Sequence, residues 1–221
     1  MKRRGVVLAF SGGLDTSFCV PYLIDKGFDV TTLYVDTGGA DEAERAAIAA
    51  RARELGAVEH VTVDAGEPIW RHVVVPLVWG GALYQGQYPL LCSDRYVIVE
   101  EGVKLCEARG FDAFAHGCTG MGNDQVRFDL AVRALADLEI VAPIRDVQAE
   151  HANVRAYEQG YLEARGFAVK AKTTKYSINA NVLGVTTSGS EIDAFAAPGP
   201  ETYTLAAPPA AWPKEPLVAK L

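Results

Sequence analysis

Cysteine is scarce in this chain, and long apolar runs are missing. The four cysteines, Cys19, Cys92, Cys106 and Cys118, show no CxxC spacing and no histidine at ligand spacing. That excludes a zinc site and a disulfide framework, and fits reduced, mostly buried thiols. No stretch approaches the roughly 20 apolar residues that a membrane-spanning helix needs. Met1-Lys2-Arg3-Arg4 is basic, but Val6–Phe10 is too short for the apolar region of a signal peptide. The expected location is therefore cytoplasmic, with no membrane partner. Positive charge is also in deficit: 21 Lys and Arg against 28 Asp and Glu leave a formal charge of −7. A surface that grips a duplex by neutralising phosphates wants the opposite balance, so no nucleic-acid partner is expected. Small anions stay possible, because backbone N–H groups can hold them without net positive charge. GxxxxGK[ST] and GxGxxG are both missing, as are internal repeats and low-complexity tracts.

Of the 221 residues, 49% are hydrophobic and 22% charged, a balance that must bury a core and excludes disorder over most of the length. Short β-branched runs alternate with helical stretches. Strands are expected at Val6–Phe10, Val30–Val35, Val58–Val63, Ala113–His116 and Glu139–Ala142. Helices are expected at Ser17–Lys26, Asp41–Leu55, Pro68–Leu77, Ser93–Arg109, Asn123–Ala136 and Glu150–Arg165. Alternation at this spacing predicts an α/β fold, a parallel sheet with helices on both faces. Trp70 and Trp79 are expected in the core. His60, His72 and His151 have no partners at metal or triad spacing and read as surface or structural histidines. His116, at a strand end beside a glycine loop, can contact a ligand or orient backbone. The stretch from Ala196 is rich in proline, and Leu217–Leu221 reads as a strand just beginning, so the chain is expected to stop inside a second domain.

The sharpest motif is Ala9-Phe10-Ser11-Gly12-Gly13-Leu14-Asp15-Thr16-Ser17, between the first strand and the first helix. Two glycines allow a sharp turn and close backbone approach. The helix N-terminus offers unpaired N–H groups, and Ser11, Thr16 and Ser17 add donors, which together make a phosphate cradle. Asp15 is its lone acid and can cap the helix, orient the loop or help hold Mg²⁺. The second motif runs from His116 to Phe128, HGCTGMGNDQVRF, and also joins a strand to a helix. Thr119, Asn123, Asp124 and Arg127 supply donors, acceptors and both charges, suited to a zwitterionic substrate, with Arg127 gripping a carboxylate. On their own these four fit equally well an N-cap at Asn123 and a surface ion pair.

SGGLDTS resembles the signature of the PP-loop ATP pyrophosphatases, which cleave ATP between the α and β phosphates. Both motifs together resemble the argininosuccinate synthase family. Tyr84–Tyr88, Val141–Arg145 and Tyr176–Val185 support the likeness, which extends from Val6 to about Pro198. The resemblance implies a PP-loop nucleotide-binding domain over 1–170 and the beginning of a synthetase domain over 171–221. It implies a ligase of arginine biosynthesis and the urea cycle that condenses citrulline with aspartate, using ATP with Mg²⁺ and passing through a citrulline-adenylate, and a homotetramer at full length. By the same resemblance Ala9, Phe10, Ser11, Gly12, Gly13, Leu14, Asp15, Thr16, Ser17, Val35 and Gly117 bind ATP. Tyr88, Ser93, Asn123, Arg127, Ser177 and Thr186 bind citrulline, and Thr119, Asn123 and Asp124 bind aspartate. Asp15 and Asp124 are the expected catalytic residues. The chain departs from the family at Leu91-Cys92-Ser93, where Gly-Thr-Ser is common, at Arg95-Tyr96, and at Thr186, where Ser is common. Alternatives are another PP-loop adenylating enzyme, or a nucleotide-binding module without turnover.

Overall fold

The computed structural model describes residues 3–169, 176–189, 191, 194 and 196–215. Its elements are β1 (Arg4–Ala9), α1 (Leu14–Asp25), β2 (Phe28–Asp36), α2 (Glu42–Glu54), β3 (Glu59–Asp64), α3 (Gly66–Ile69), a π turn over Trp70–Val74 and α4 (Val75–Gly80). They continue with α5 (Asp94–Arg109), β4 (Ala113–Ala115), α6 (Asn123–Leu135), β5 (Glu139–Val141), α7 (Pro143–Glu150), α8 (Val154–Glu163), β6 (Ser177–Asn181) and β7 (Gly184–Ser188). The first five strands form one sheet in the order β3-β2-β1-β4-β5, every neighbouring pair parallel. The α/β fold expected from the alternation is present.

β1 explains the layering. Val6, Leu8 and Phe10 enter one core with residues of α1, α2 and α8, while Val7 and Ala9 enter the other with residues of α3, α5 and α6. A strand buried on both faces needs an unbroken apolar run, and Val6–Phe10 supplies it. Close layering also demands small residues. A side chain at Gly102 on α5 would collide with the Phe114 ring of β4, so this glycine sets how near the helix lies to the sheet.

Three expectations are corrected. Trp70 and Trp79 are surface residues, the latter 86% exposed. Ile69, Val73 and Leu77 claim the inward face at four-residue spacing, and both tryptophans fall off it. The single helix expected at Glu150–Arg165 begins later, at Val154, where Asn153 Oδ1 accepts from Ala156 N at 3.1 Å as a new N-cap. Glu150 instead closes α7, which Pro143 opens in its first turn. Helix α1 starts at Leu14 rather than Ser17, so Asp15, Thr16 and Ser17 all lie in its first turn.

β6 and β7 form an antiparallel hairpin. It docks on the main body through Val182 N to Thr37 O at 2.9 Å and Asn181 Nδ2 to Leu91 O at 2.7 Å. The strand expected at Leu217–Leu221 lies outside the described residues. Among the described residues no helix is long and apolar enough to cross a membrane.

Candidate active site

The strand order places the site. From β1 the chain moves outward through β2 to β3, then returns to pair β4 on the opposite edge of β1. The connections leaving β1 and β4 diverge at neighbouring carboxyl ends, and such a switch point opens a crevice. Both glycine motifs are these two connections.

In the first, Gly12 has φ +75°, a conformation L side chains rarely adopt, and a Cβ there would lie 3.1 Å from Ile48 Cγ1. Gly13 is extended, and α1 begins without a side-chain cap. Its first N–H groups thus face the crevice. Ser11 Oγ and Thr16 Oγ1 lie 3.2 Å apart across the turn. Ser17 is buried, its hydroxyl 3.4 Å from Gly12 O. The second connection comes close to the first: a Cβ on Gly117 would lie 3.0 Å from Thr16 Cγ2.

The second connection is pinned at several points. Gly120 N donates to Gln148 Oε1 at 2.6 Å and Gln125 Nε2 donates to Gly120 O at 2.5 Å. His116 is buried; its Nδ1 accepts from Cys118 N at 3.2 Å, so the ring proton sits on Nε2 and is donated to Asp129 Oδ1 at 3.0 Å. Burial lowers the His116 pKa, against the opposing pull of the hydrogen-bonded Asp129 carboxylate. Arg145 clamps both oxygens of Asp129, at 2.8 and 2.9 Å. His116 therefore orients backbone while also lining the crevice.

Asn123 is the first residue of α6, with Gly122 at the N-cap. Asp124 pairs with Arg127 at 2.6 Å and with Arg95 Nε at 3.3 Å. Arg95 also takes both oxygens of Asp94, at 2.7 and 2.8 Å, and donates to Asn179 Oδ1 at 3.0 Å. The ion pair foreseen between Asp124 and Arg127 is thus one edge of a larger network that joins α5, α6 and β6.

Helix α8 completes the wall. Phe18 of α1 packs against Tyr157 and Tyr161 at 6.0 and 4.9 Å between ring centroids. That docking sets Arg155 and Glu158 beside the α1 N-terminus. Glu158 is buried, with no partner for Oε1 among the described residues. Burial, and next the neighbouring Asp15 carboxylate, push its pKa up to about 8. Burial raises Asp15 as well, against the pull of Arg155.

These walls enclose a cleft of about 660 Å³. Ala9, Phe10, Ser11, Gly13, Leu14, Asp15, Thr16, Val35, Gly117, Thr119, Asn123, Asp124, Arg127 and Ser177 line it, as do Arg95, His116, Arg155 and Asn179. Five residues singled out from the sequence stand outside the lining. Gly12 packs toward Ile48 and Ser17 is buried behind the turn. Tyr88 lies in a short bridge with Tyr84, and Ser93 Oγ donates to Leu90 O at 2.6 Å. Thr186 faces Asn179 across the hairpin. Arg155, Glu158 and Asn179 were missed. No motif marks Arg155 or Glu158, and Asn179, though inside the Tyr176–Val185 segment, was given no role there; their place follows only from how α8 and the hairpin pack. Burial holds the thiols protonated, Cys118 at about 12 and Cys106 at about 11, so neither serves as a nucleophile at neutral pH.

Residues 5–163 match the family model described as the arginosuccinate synthase N-terminal HUP domain. The chain belongs to the argininosuccinate synthase family. It is 60% identical over 221 residues to argininosuccinate synthase of Xanthomonas campestris pv. campestris, covering all of this chain and 56% of that protein. Against the Xylella fastidiosa argininosuccinate synthase it is 57% identical over 221 residues, covering 100% and 55%. The Methanocaldococcus jannaschii argininosuccinate synthase matches at 40% over 193 residues, covering 86% and 47%. The chain spans about half the length of the curated relatives it matches. The matched family segment ends at the close of α8, so every wall of the cleft except Ser177 and Asn179 falls within it.

Proposed function

We propose that this chain carries the nucleotide half of an argininosuccinate synthase active site, in which citrulline and aspartate are joined at the expense of ATP. The observation that carries this reading is the close approach of Gly117 to Thr16, which makes one cleft of the two glycine connections. At one end lie an uncapped helix N-terminus and two hydroxyls; at the other lie Thr119, Asn123 and the Asp124–Arg127–Arg95 network.

In the first step the ureido oxygen of citrulline attacks the α-phosphate of ATP, and pyrophosphate leaves into the Ser11–Thr16 turn. In the second the aspartate amine attacks the activated carbon and displaces AMP. The α1 N–H groups meet charge developing on the leaving pyrophosphate, so catalysis is positioning and electrostatics with no covalent protein nucleophile. Arg127 suits the citrulline carboxylate. Thr119 and Asn123 suit aspartate, with Asp124 for its ammonium. Magnesium enters with ATP as part of the substrate. No group of three or more His, Cys, Asp or Glu able to hold a metal occurs among the described residues. Asp15 is the one carboxylate at the cradle, and a single carboxylate plus phosphate oxygens is a common magnesium environment. Ser93, Tyr88 and Thr186 belong to the citrulline proposal only if the site rearranges on binding. A homotetramer and a cytoplasmic location are part of the same family reading.

The expected result is that the 221-residue chain binds Mg-ATP in a calorimetric titration but forms argininosuccinate very poorly, because a substrate held from one side seldom reaches in-line geometry. Gly117→Val should abolish the binding by forcing the two connections apart. Pyrophosphate release would be measured with both amino acids present and with each omitted. Failure of the chain to bind Mg-ATP overturns the cradle, and robust turnover shows that these residues suffice.

A further inference from the structure

Three arginines line the cleft among the described residues, and two are already committed. Arg95 is held by Asp94, Asp124 and Asn179, and Arg127 by Asp124. Arg155 differs. It is exposed, it lines the cleft with Ser11, Gly13, Asp15 and Thr16, and it makes no hydrogen bond or ion pair with any described residue. The turn it faces contains no lysine or arginine, and its only charged side chain is Asp15. A bound di- or triphosphate brings several negative charges to a place where the backbone supplies only partial positive charge. The acid best placed to neutralise Arg155 on its own helix, Glu158 three residues on, is turned inward and buried. The Phe18–Tyr157–Tyr161 cluster fixes the helix, so Arg155 swings from a rigid base.

We infer that Arg155 is a further ligand of the phosphate chain, reaching from α8 over the Ser11–Thr16 turn to the β and γ oxygens of ATP and then to the leaving pyrophosphate. This rests on the nucleotide reading of the cleft. A guanidinium fork matches paired phosphate oxygens and costs little to redirect when the longer-range attraction of Asp15, and no hydrogen bond, opposes it.

The test is calorimetric titration of the chain with magnesium pyrophosphate, Mg-ATP and AMP, using wild type, Arg155→Ala, Arg155→Lys and Arg133→Ala. Arg133, in the last turn of α6, gives the same charge change away from the cleft. Arg155→Ala is expected to weaken pyrophosphate and ATP about tenfold or more while leaving AMP nearly unchanged, since AMP lacks the outer phosphates. Arg155→Lys should recover part of the loss, and Arg133→Ala should bind as wild type. Melting temperatures should agree within about 2 °C, because the side chain is exposed. If wild type binds Mg-ATP and Arg155→Ala binds pyrophosphate equally well, the inference falls while the nucleotide site stands. Equal weakening toward AMP, or an equal loss in Arg133→Ala, assigns the effect to structure or general charge and also overturns it. If wild type binds neither pyrophosphate nor ATP, the nucleotide reading falls and the inference with it.

Discussion

Asp129→Ala is expected to lower the unfolding free energy by about 3 kcal/mol, which for a chain of this size moves the melting temperature by roughly 6–12 °C. Asp129 is the common anion of two partners on different elements. It accepts from His116 Nε2 at the end of β4 and from both terminal nitrogens of Arg145 on α7. Arg145 Nε is already buried without a partner among the described residues. Removing the carboxylate strands a half-buried cation and an imidazole N–H together, a far larger penalty than the net worth of either bond. Asp129→Asn keeps one acceptor oxygen and should lose about half as much. The second consequence is local. His116 holds Cys118 N, so the connection after β4 loosens, and Mg-ATP affinity should fall even below the melting transition. Urea denaturation checks the first effect and calorimetry the second; a variant melting within a degree of wild type would show that solvent replaces Asp129 readily.

Glu158→Gln should make the protein more stable than wild type above neutral pH and little different near pH 4.5. The folded Glu158 pKa is about 8 against an ordinary 4.5. A carboxyl raised on folding contributes its full stability below the unfolded value and loses it as pH climbs through the folded one. Wild type therefore forfeits stability progressively between about pH 4.5 and 8, where the unfolded chain ionises freely and the folded chain must bury the charge. By pH 8 the cost is on the order of 2–4 kcal/mol. Glutamine cannot ionise, so the melting temperature of Glu158→Gln should fall much less over that window than that of wild type. Asp15 shares the direction of shift, and Asp15→Asn should flatten part of the same slope by removing the neighbouring negative charge. Parallel pH profiles for wild type and Glu158→Gln would overturn the account.

The sequence was most informative where local chemistry decides the outcome. Val6–Phe10 had to be a central strand because every residue is apolar. SGGLDTS had to be a turn onto a helix because Gly12 alone tolerates its φ. The second glycine connection was legible from its place between a strand and a helix, and the residues at its helix start do line the cleft. Wherever position depends on distant packing, the pattern was silent. Trp70 and Trp79 carry large apolar side chains, and nothing local says which face of a short helix they occupy. Arg155 and Glu158 are ordinary helix residues until aromatic rings on α1 and α8 lock the two helices together. Tyr88, Ser93 and Thr186 came from the family pattern and stand outside the cleft lining; Thr186 is on the hairpin, whose seat neither spacing nor composition fixes, while Tyr88 and Ser93 belong to the segment between α4 and α5.

The strand order has a consequence for how the chain acquires its shape during synthesis. β1, β2 and β3 lie within the first 64 residues and form two consecutive parallel units. The other edge of β1 waits for β4, about a hundred residues further along. Throughout that interval the apolar strand presents an unpaired row of N–H and C=O groups, the kind of template that captures foreign strands. Closing such a distant pairing is slow, since the intervening chain must surrender its freedom before any contact rewards it. A ribosome-bound chain halted before residue 113 should be prone to self-association through β1, and release from that hazard should coincide with emergence of Ala113–Ala115 from the exit tunnel.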